Sequence, residues 1–145
     1  MLLIVTGTRT IKIPVAERII QDFIESSLPT DEAIFIIHGD SGGVDLAAKK
    51  VGDSGGRFTQ QGFPVTSAEW EKYGKPAGLI RNAWMVGWAI GWREMWGDEI
   101  EGLAVWDGTS AGTKHCISLM VKHNLVHTIL NENGGAHGAR NLPLE

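Results

Sequence analysis

The residues best suited to chemistry in this sequence lie in three glycine-bearing turns, each placed between a short apolar run and a helical pattern. They are Gly7-Thr8-Arg9, His38-Gly39-Asp40-Ser41-Gly42-Gly43-Val44-Asp45 and Asp107-Gly108-Thr109-Ser110-Ala111-Gly112-Thr113. A strand-to-helix turn directs free backbone N–H groups and the positive end of a helix dipole at one point, which favours a phosphate or a carboxylate. These turns therefore predict an anion site.

The middle turn offers glycines, a carboxylate and an imidazole. Gly39, Gly42 and Gly43 permit positive φ and a close approach of a ligand to the backbone. They could also serve only to turn the chain. Asp45 would repel a phosphate, so a ribose hydroxyl is its expected partner. His38 is a candidate because it titrates near neutral pH, with a packed neutral histidine as the alternative.

The first and third turns add hydroxyl groups, a guanidinium and a second carboxylate. Arg9 can grip a phosphate with two N–H donors, and Thr8 offers a hydroxyl beside it. Ser110 suits the N-cap of the following helix, and Gly112 lets a ligand approach the helix start. Asp107 could contact a ribose or a base amine. The alternatives are a surface arginine and a turn that only caps its helix.

Further candidates lie between residues 69 and 82. Arg81 and Asn82 fall in the first turns of a predicted helix, where the dipole disfavours a cation unless an anion lies nearby. Lys75 is a candidate second cation, with a solvated loop lysine as the alternative. Trp70 could stack on a base, or could anchor its loop by packing.

These turns must be positioned by alternating strands and helices. Strands are predicted at residues 2–5, 33–37, 57–63, 102–106 and 125–130, and helices at 15–28, 44–51, 77–96 and 113–123. Residues 64–76 are predicted to be an irregular connection. Strict alternation predicts a parallel, doubly wound sheet, in which the three turns lie on the carboxyl edge where ligands bind.

Composition limits the classes of protein and partner. With 145 residues, the chain is predicted to form one domain at 1–130, followed by a Gly-rich loop or tail at 131–145. A net charge of −4 without a basic cluster disfavours nucleic-acid binding. The single cysteine, Cys116, excludes an internal disulfide and fits a reducing cytosol. No metal, cofactor, signal peptide or membrane span is predicted, so a cytoplasmic location is expected.

Four tryptophans recur at four-residue spacing in the predicted helix at 77–96. They are Trp84, Trp88, Trp92 and Trp96. Gly87 and Gly91 lie beside them, and a glycine in a helix interior costs roughly 1 kcal/mol against alanine. We expect a homodimer through residues 78–96, with the first two tryptophans facing the sheet and the last two facing the partner. The alternative is that all four pack on their own sheet.

Four motifs together resemble the SLOG superfamily, in its branch of small standalone Rossmann-like proteins. They are Gly7-Thr8-Arg9, His38-Gly39-x-x-Gly42-Gly43-Val44-Asp45, Trp70…Gly74-Lys75-x-Ala77-Gly78-x-x-Arg81-Asn82…Met85, and Asp107-Gly108-x-Ser110-x-Gly112-Thr113. This superfamily is related to the Lonely Guy phosphoribohydrolases and to DNA-processing protein A. The resemblance implies a nucleotide or nucleotide-derived ligand and a place in bacterial or phage signalling and conflict systems.

One departure from the related enzymes bears on activity. The Lonely Guy enzymes follow Gly-Thr with a catalytic glutamate, whereas here Gly112-Thr113 is followed by Lys114-His115-Cys116, and no Asp or Glu lies in that helix. We therefore expect a protein that senses or sequesters its ligand. The alternative is an N-glycoside hydrolase acting on a nucleoside phosphate, with Asp45 or Asp107 as the acid.

The expected fold is α/β, a Rossmann-like three-layer αβα domain with a parallel sheet of about five strands in the order 3-2-1-4-5. The ligand is expected at the carboxyl edge of that sheet. The residues expected to bind it are Gly7, Thr8, Arg9, His38, Gly39, Gly42, Gly43, Asp45, Trp70, Lys75, Gly78, Arg81, Asn82, Asp107, Ser110, Gly112 and Thr113.

Overall fold

A computed structural model describes residues 1–136 and shows a five-stranded sheet with helices on both faces. The strands are β1 (Leu2–Gly7), β2 (Ile34–His38), β3 (Phe58–Gly62), β4 (Ile100–Val105) and β5 (Val126–Leu130). The helices are α1 (Ile13–Ser27), α2 (Val44–Gly52), α3 (Ser67–Tyr73), α4 (Ala77–Trp96) and α5 (Ala111–Lys122). All strand pairs are parallel and their order is β3-β2-β1-β4-β5. The predicted fold class and strand order are confirmed.

The sheet separates two hydrophobic cores because successive side chains of a strand point to opposite faces. On β1, Leu3 and Val5 belong to the core that contains α1 and α2. Leu2 and Ile4 belong to the core under α4 and α5. All four side chains are fully buried, which explains why β1 is a continuous apolar run rather than an alternating one.

The chain reverses its direction across the sheet at β1. It runs from β1 through β2 to β3 on one side, then crosses to β4 and β5 on the other. Gly7 is in register with Val105 where β1 and β4 end. The Asp107 N–H donates to Thr8 Oγ1 at 3.1 Å, which joins the first and third turns. A crevice at such a switch point is where α/β sheets bind ligands.

Residues 64–76 differ from the prediction because they contain the short helix α3. The Glu69 N–H donates to Thr66 Oγ1 at 3.1 Å, and the Glu69 carboxylate accepts the Thr66 N–H at 3.2 Å. This reciprocal pair is a capping box, and its Thr-x-x-Glu spacing is readable in the sequence. Apolar periodicity misses a helix of seven residues because too few turns repeat the pattern.

The tryptophans of α4 do not face the directions that the sequence predicts. Trp88 and Trp92 pack edge-on against Phe35, with ring centroids 5.7 and 5.6 Å apart. Trp84 and Trp96 are 53% and 64% exposed. Each four-residue step rotates by about 40°, so the two middle rings lie over the sheet and the outer two diverge from it. The predictions that Trp84 faces the sheet and that Trp92 faces a partner are wrong.

Residues 131–136 fold back on the end of β5. Ala136 forms a single antiparallel bridge with Leu130, and Asn131 Oδ1 accepts the N–H groups of Asn133 and Gly135. The remainder of the loop predicted at 131–145 lies outside the described residues. Among residues 1–136, no helix is both long enough and apolar enough to cross a membrane.

Gly43 holds the first and second turns against each other. Its φ is +59°, and a Cβ there would lie 2.5 Å from the Thr8 carbonyl oxygen and in contact with the Arg9 carbonyl oxygen. Since both neighbours are backbone, neither can move aside cheaply. Gly43 therefore serves the packing of two turns, whereas Gly39 and Gly42 do not have positive φ.

Gly43→Ala is expected to lower the free energy of unfolding by roughly 1–3 kcal/mol more than Gly55→Ala does. Both glycines have positive φ, but among the described residues a Cβ on Gly55 would meet nothing within 4 Å beyond its chain neighbours. Urea unfolding followed by tryptophan fluorescence measures the two losses. Equal losses would show that the packing of Gly43 against the first turn does not contribute to stability.

Candidate functional site

A cavity of about 100 Å³ lies at the carboxyl edge, between the turns after β1, β2 and β4 and the first turns of α4. The predicted residues that line it are Gly7, Arg9, Gly39, Asp45, Gly78, Arg81, Asn82, Ser110, Gly112 and Thr113. The remainder of the lining consists of Thr6, Ser41 and Met85. Four segments that are distant in the sequence therefore meet at one place.

Three helices begin at this cavity, and none of them has a side-chain cap. The N-cap residues of α2, α4 and α5 are Gly43, Pro76 and Ser110, and none of their side chains accepts a first-turn N–H. In contrast, α3 does not line the cavity and carries a complete capping box. Uncapped first-turn N–H groups are the donors with which helix starts bind anions.

Arg81 is held in place by the backbone around it. Its Nη1 donates to the carbonyl oxygens of Gly39 and Phe63, and its Nε donates to Asn82 Oδ1 at 2.9 Å. Within residues 1–136, Nη2 has no hydrogen-bond partner, and a guanidinium carries two N–H donors there. The fixed orientation leaves those two donors for a ligand.

Asn82 sets the spacing between the starts of α4 and α5. It is 4% exposed, its Nδ2 donates to the Gly112 carbonyl oxygen at 3.2 Å, and the same atom lies 3.4 Å from His115 Nδ1. Partial burial lowers the pKa of His115, which favours the neutral ring beside Asn82. The amide is therefore already satisfied by the protein and acts on the site through Gly112.

Asp45 is the buried carboxyl group of the cavity. Its Oδ2 accepts the Ser41 N–H at 3.3 Å, and no ion pair within residues 1–136 includes it. Burial raises the pKa of Asp45 to about 6, although the charge of Arg81, the Ser41 hydrogen bond and the charge of Arg9 act in the opposite direction. A group that takes up a proton near neutral pH thus lines the cavity.

His38 supports the site without lining it. Its Nδ1 accepts the Asp40 N–H at 3.0 Å, so its Nε2 must carry the proton and donate to Gln60 Oε1 at 2.7 Å. Burial lowers the pKa of His38, so the ring stays neutral. Of the two interpretations that the sequence allowed, the structure shows the packed neutral histidine.

Thr8 and Asp107 shape the third turn rather than face the cavity. Thr8 is buried and accepts the Asp107 N–H. Asp107 Oδ1 accepts the N–H groups of Thr109 and Ser110 at 2.9 and 2.8 Å, and these hydrogen bonds hold the pKa of Asp107 below its ordinary value. Their polar groups are thus used to build the turn.

Three further predicted residues lie outside the cavity. A Cβ on Gly42 would contact Arg9, and Gly43 packs on the first turn as described above. Lys75 is exposed in the link between α3 and α4. Gly42 and Gly43 thus pack on the first turn, and Lys75 is not brought to the site.

A second groove of about 140 Å³ continues from the cavity towards α3. It shares Arg9, Gly39, Ser41, Gly78 and Arg81 with the cavity and adds Asp40, Val65 and Trp70. The indole of Trp70 is 45% exposed, so it lines the groove rather than filling a core. An apolar ring is therefore available at some distance from the helix starts.

Ser41 is the site residue that sequence reasoning missed most clearly, because it lines both the cavity and the groove. Its position between Gly39 and Gly42 in the second turn could have revealed it. Thr6 could not be found in this way, since it is a buried strand residue. Cys116 is fully buried, and burial raises the pKa of its thiol to about 12, which favours the protonated thiol.

Comparisons with protein-family models, with curated proteins and with solved structures gave no match. Within residues 1–136, no group of three or more His, Cys, Asp or Glu side chains could hold a metal ion. The groups that line the cavity include two arginines, Arg9 and Arg81, and the buried carboxyl group of Asp45.

The raised pKa of Asp45 predicts that stability depends on pH. Because its folded pKa of about 6 exceeds the ordinary 3.8, the folded state holds more protons between these values, and the free energy of unfolding falls as pH rises from about 4 to about 6. Asp45→Asn keeps an acceptor for Ser41 but cannot ionise. At pH 7.5, the free energy of unfolding of Asp45→Asn is expected to exceed that of the wild type by up to about 3 kcal/mol.

Urea unfolding at pH 4 and at pH 7.5 measures this difference, which should shrink towards zero at pH 4. The exposed residue Asp22 on α1 provides the control, since Asp22→Asn should leave both curves unchanged. A gain from Asp45→Asn of equal size at the two pH values would refute the titration of Asp45 as its cause.

Proposed function

We propose that the protein binds a nucleotide or a nucleotide-derived signalling ligand at the carboxyl edge of its sheet, as a sensing or sequestering module. The observation that carries this proposal is the convergence of three uncapped helix starts, Arg9 and Arg81 on one cavity. Backbone N–H groups and guanidinium groups are the usual partners of phosphate. The resemblance of the turns to the SLOG superfamily supports the same class of ligand.

The size of the cavity favours a ligand that lies partly in the cavity and partly in the adjoining groove. About 100 Å³ is well below the roughly 300–1,000 Å³ of sites that enclose a drug-sized molecule. A phosphate would occupy the cavity, and the nucleoside would extend along the groove towards Trp70. Stacking of a base on an aromatic side chain contributes roughly 1–3 kcal/mol and tolerates different bases.

Asp45 would then contact the ribose. Above pH 6 its charge would oppose a phosphate at contact distance, whereas a carboxylate accepts hydrogen bonds from hydroxyl groups readily. Arg9 and Arg81, whose charges act against the rise in the pKa of Asp45, would hold the phosphate.

A thermal-shift screen of nucleoside mono-, di- and triphosphates and of cyclic nucleotides tests the proposal. A ligand at about 100 times its Kd stabilises the fold by about 2.7 kcal/mol. For a chain of this size, that raises the unfolding temperature by roughly 5–10 °C. With the best ligand, calorimetry should show that Arg9→Ala weakens binding ten-fold or more, about 1.4 kcal/mol. Arg18→Ala, which removes an exposed arginine of α1, should leave the affinity unchanged.

Gly112→Val provides a second test at the same site. Among residues 1–136, a Cβ on Gly112 would meet no atom within 4 Å apart from its chain neighbours and the backbone of its own helix, so the variant should fold while its side chain fills the cavity. The proposal fails if no nucleotide shifts the unfolding temperature. It also fails if Arg9→Ala and Gly112→Val both bind as the wild type does.

An N-glycoside hydrolase that acts on a nucleoside phosphate is the second candidate, because the cavity contains a carboxyl group with a pKa of about 6. Such a group could protonate a departing base. The absence of Asp and Glu from α5 favours binding without hydrolysis.

Prolonged incubation with nucleoside monophosphates, followed by chromatography, distinguishes the two functions. The binding proposal expects no more free base than a sample without protein contains. Release of base by the wild type that is lost in Asp45→Asn would establish the hydrolase instead.

A further inference from the structure

Asp40, in the turn after β2, adopts a backbone conformation that favours glycine. Its φ is +53°, and it lies between Gly39 and Ser41 in a turn that is otherwise rich in glycine. Among residues 1–136, Asn124 is the only other residue besides glycine with a positive φ. A side chain retained at such a position is a reason to look for a function that needs it.

The ends of β2 and β3 constrain both the backbone and the side chain of Asp40. Its N–H donates at 3.0 Å to Nδ1 of His38, which is fully buried. Its side chain packs on Gly62, where an added Cβ would lie 3.0 Å from the Asp40 Cβ and 3.2 Å from its Cγ. The carboxyl group is thus held in place, while the side chain remains 25% exposed.

The ion pair of Asp40 does not explain why a carboxyl group is present. Lys49 Nζ donates to Asp40 Oδ1 at 3.5 Å, and the Lys49 side chain is 43% exposed. An ion pair this open to water contributes little to stability. Within residues 1–136, Oδ2 accepts no hydrogen bond, and Oδ1 accepts only the one from Lys49. Most of the capacity of this carboxylate to accept hydrogen bonds is therefore unused by the described chain.

Asp40 lies in the part of the site where the proposed function places the base. It lines the groove together with Trp70, and neither residue lines the cavity. Asp45, in contrast, lines the cavity and not the groove. With the phosphate in the cavity and the ribose at Asp45, the base would lie beside Asp40 and Trp70. This step rests on the proposed function.

A carboxylate selects among bases because it offers two adjacent acceptors and no donor. Guanine presents two adjacent donors on its base-pairing edge, N1–H and the N2 amino group. Adenine and cytosine present one donor beside a ring-nitrogen acceptor, and uracil presents one donor between two carbonyl oxygens. Each of these three would bring an acceptor against the second carboxylate oxygen, which disfavours it. Guanine therefore fits a carboxylate best.

We propose that the groove is a guanine subsite, in which Asp40 accepts hydrogen bonds from N1–H and the N2 amino group while Trp70 packs on the face of the ring. Stacking on Trp70 holds any base, so the discrimination comes from Asp40. Arg9, Ser41 and Arg81 line both the groove and the cavity, which joins the subsite to the place of the phosphate. The ligand is then a guanine nucleotide or a signalling molecule that contains one.

Calorimetry with the 5′-mono-, 5′-tri- and 3′,5′-cyclic phosphates of guanosine, inosine and adenosine tests this assignment. The wild type is expected to bind a guanosine phosphate about ten-fold or more tightly than its inosine counterpart, which lacks only the N2 amino group. Adenosine phosphates should bind no better than inosine phosphates. Binding without such a preference overturns the inference and leaves the proposed function standing. If no nucleotide binds, the proposed function itself fails.

Asp40→Asn alters the hydrogen-bonding groups with little change of shape, since asparagine also tolerates a positive φ. Its amide replaces one acceptor with a donor. The variant should bind guanosine phosphates about ten-fold more weakly and should gain affinity for xanthosine phosphates, whose base carries a carbonyl oxygen in place of the N2 amino group. A gain for one base with a loss for another does not follow from a damaged fold.

Lys49→Gln is the matched control, because it removes the ion pair of Asp40 and leaves the carboxylate in place. Lys49 does not line the groove, so this variant should keep the preference for guanosine. The inference is overturned if Asp40→Asn keeps that preference too. It is also overturned if Asp40→Asn loses affinity equally for all bases, which would assign Asp40 to the ribose.

Discussion

The site depends on the way in which the turn after β1 is held between the turns after β2 and β4. The Thr8 carbonyl oxygen accepts the Val44 N–H at 3.4 Å, and Thr8 Oγ1 accepts the Asp107 N–H. Gly43 packs on the same backbone, where no Cβ fits. A single threonine thereby fixes the starts of α2 and α5 relative to each other, and with them the directions of their free N–H groups.

Several features that lower the stability of the folded chain lie at the cavity. Three helix starts lack the side-chain caps that usually contribute about 1 kcal/mol each, and Asp45 is buried without an ion pair to any of the residues 1–136. Missing caps and unpaired buried groups of this kind are expected where a ligand supplies the missing partners.

Much of the fold could be predicted because its signals are local. The apolar runs of β1 and β2 follow from burial on both faces of a parallel sheet, and the glycine turns follow from the strand-to-helix connections. Even α3 could have been found from the spacing of Thr66 and Glu69. The tryptophans of α4 show the limit of a periodic pattern, because spacing alone does not say which arc of a helix the sheet covers.

By itself, the sequence determined the alternation of strands and helices and brought the three turns and Arg81 to one edge of the sheet. Only the tertiary structure decided which side chains face the cavity there. Gln60 on β3 occupies one nitrogen of His38, and the backbone of Gly39 and Phe63 orients Arg81. These partners are distant in the sequence, and a side chain in a turn points wherever its hydrogen bonds and burial place it.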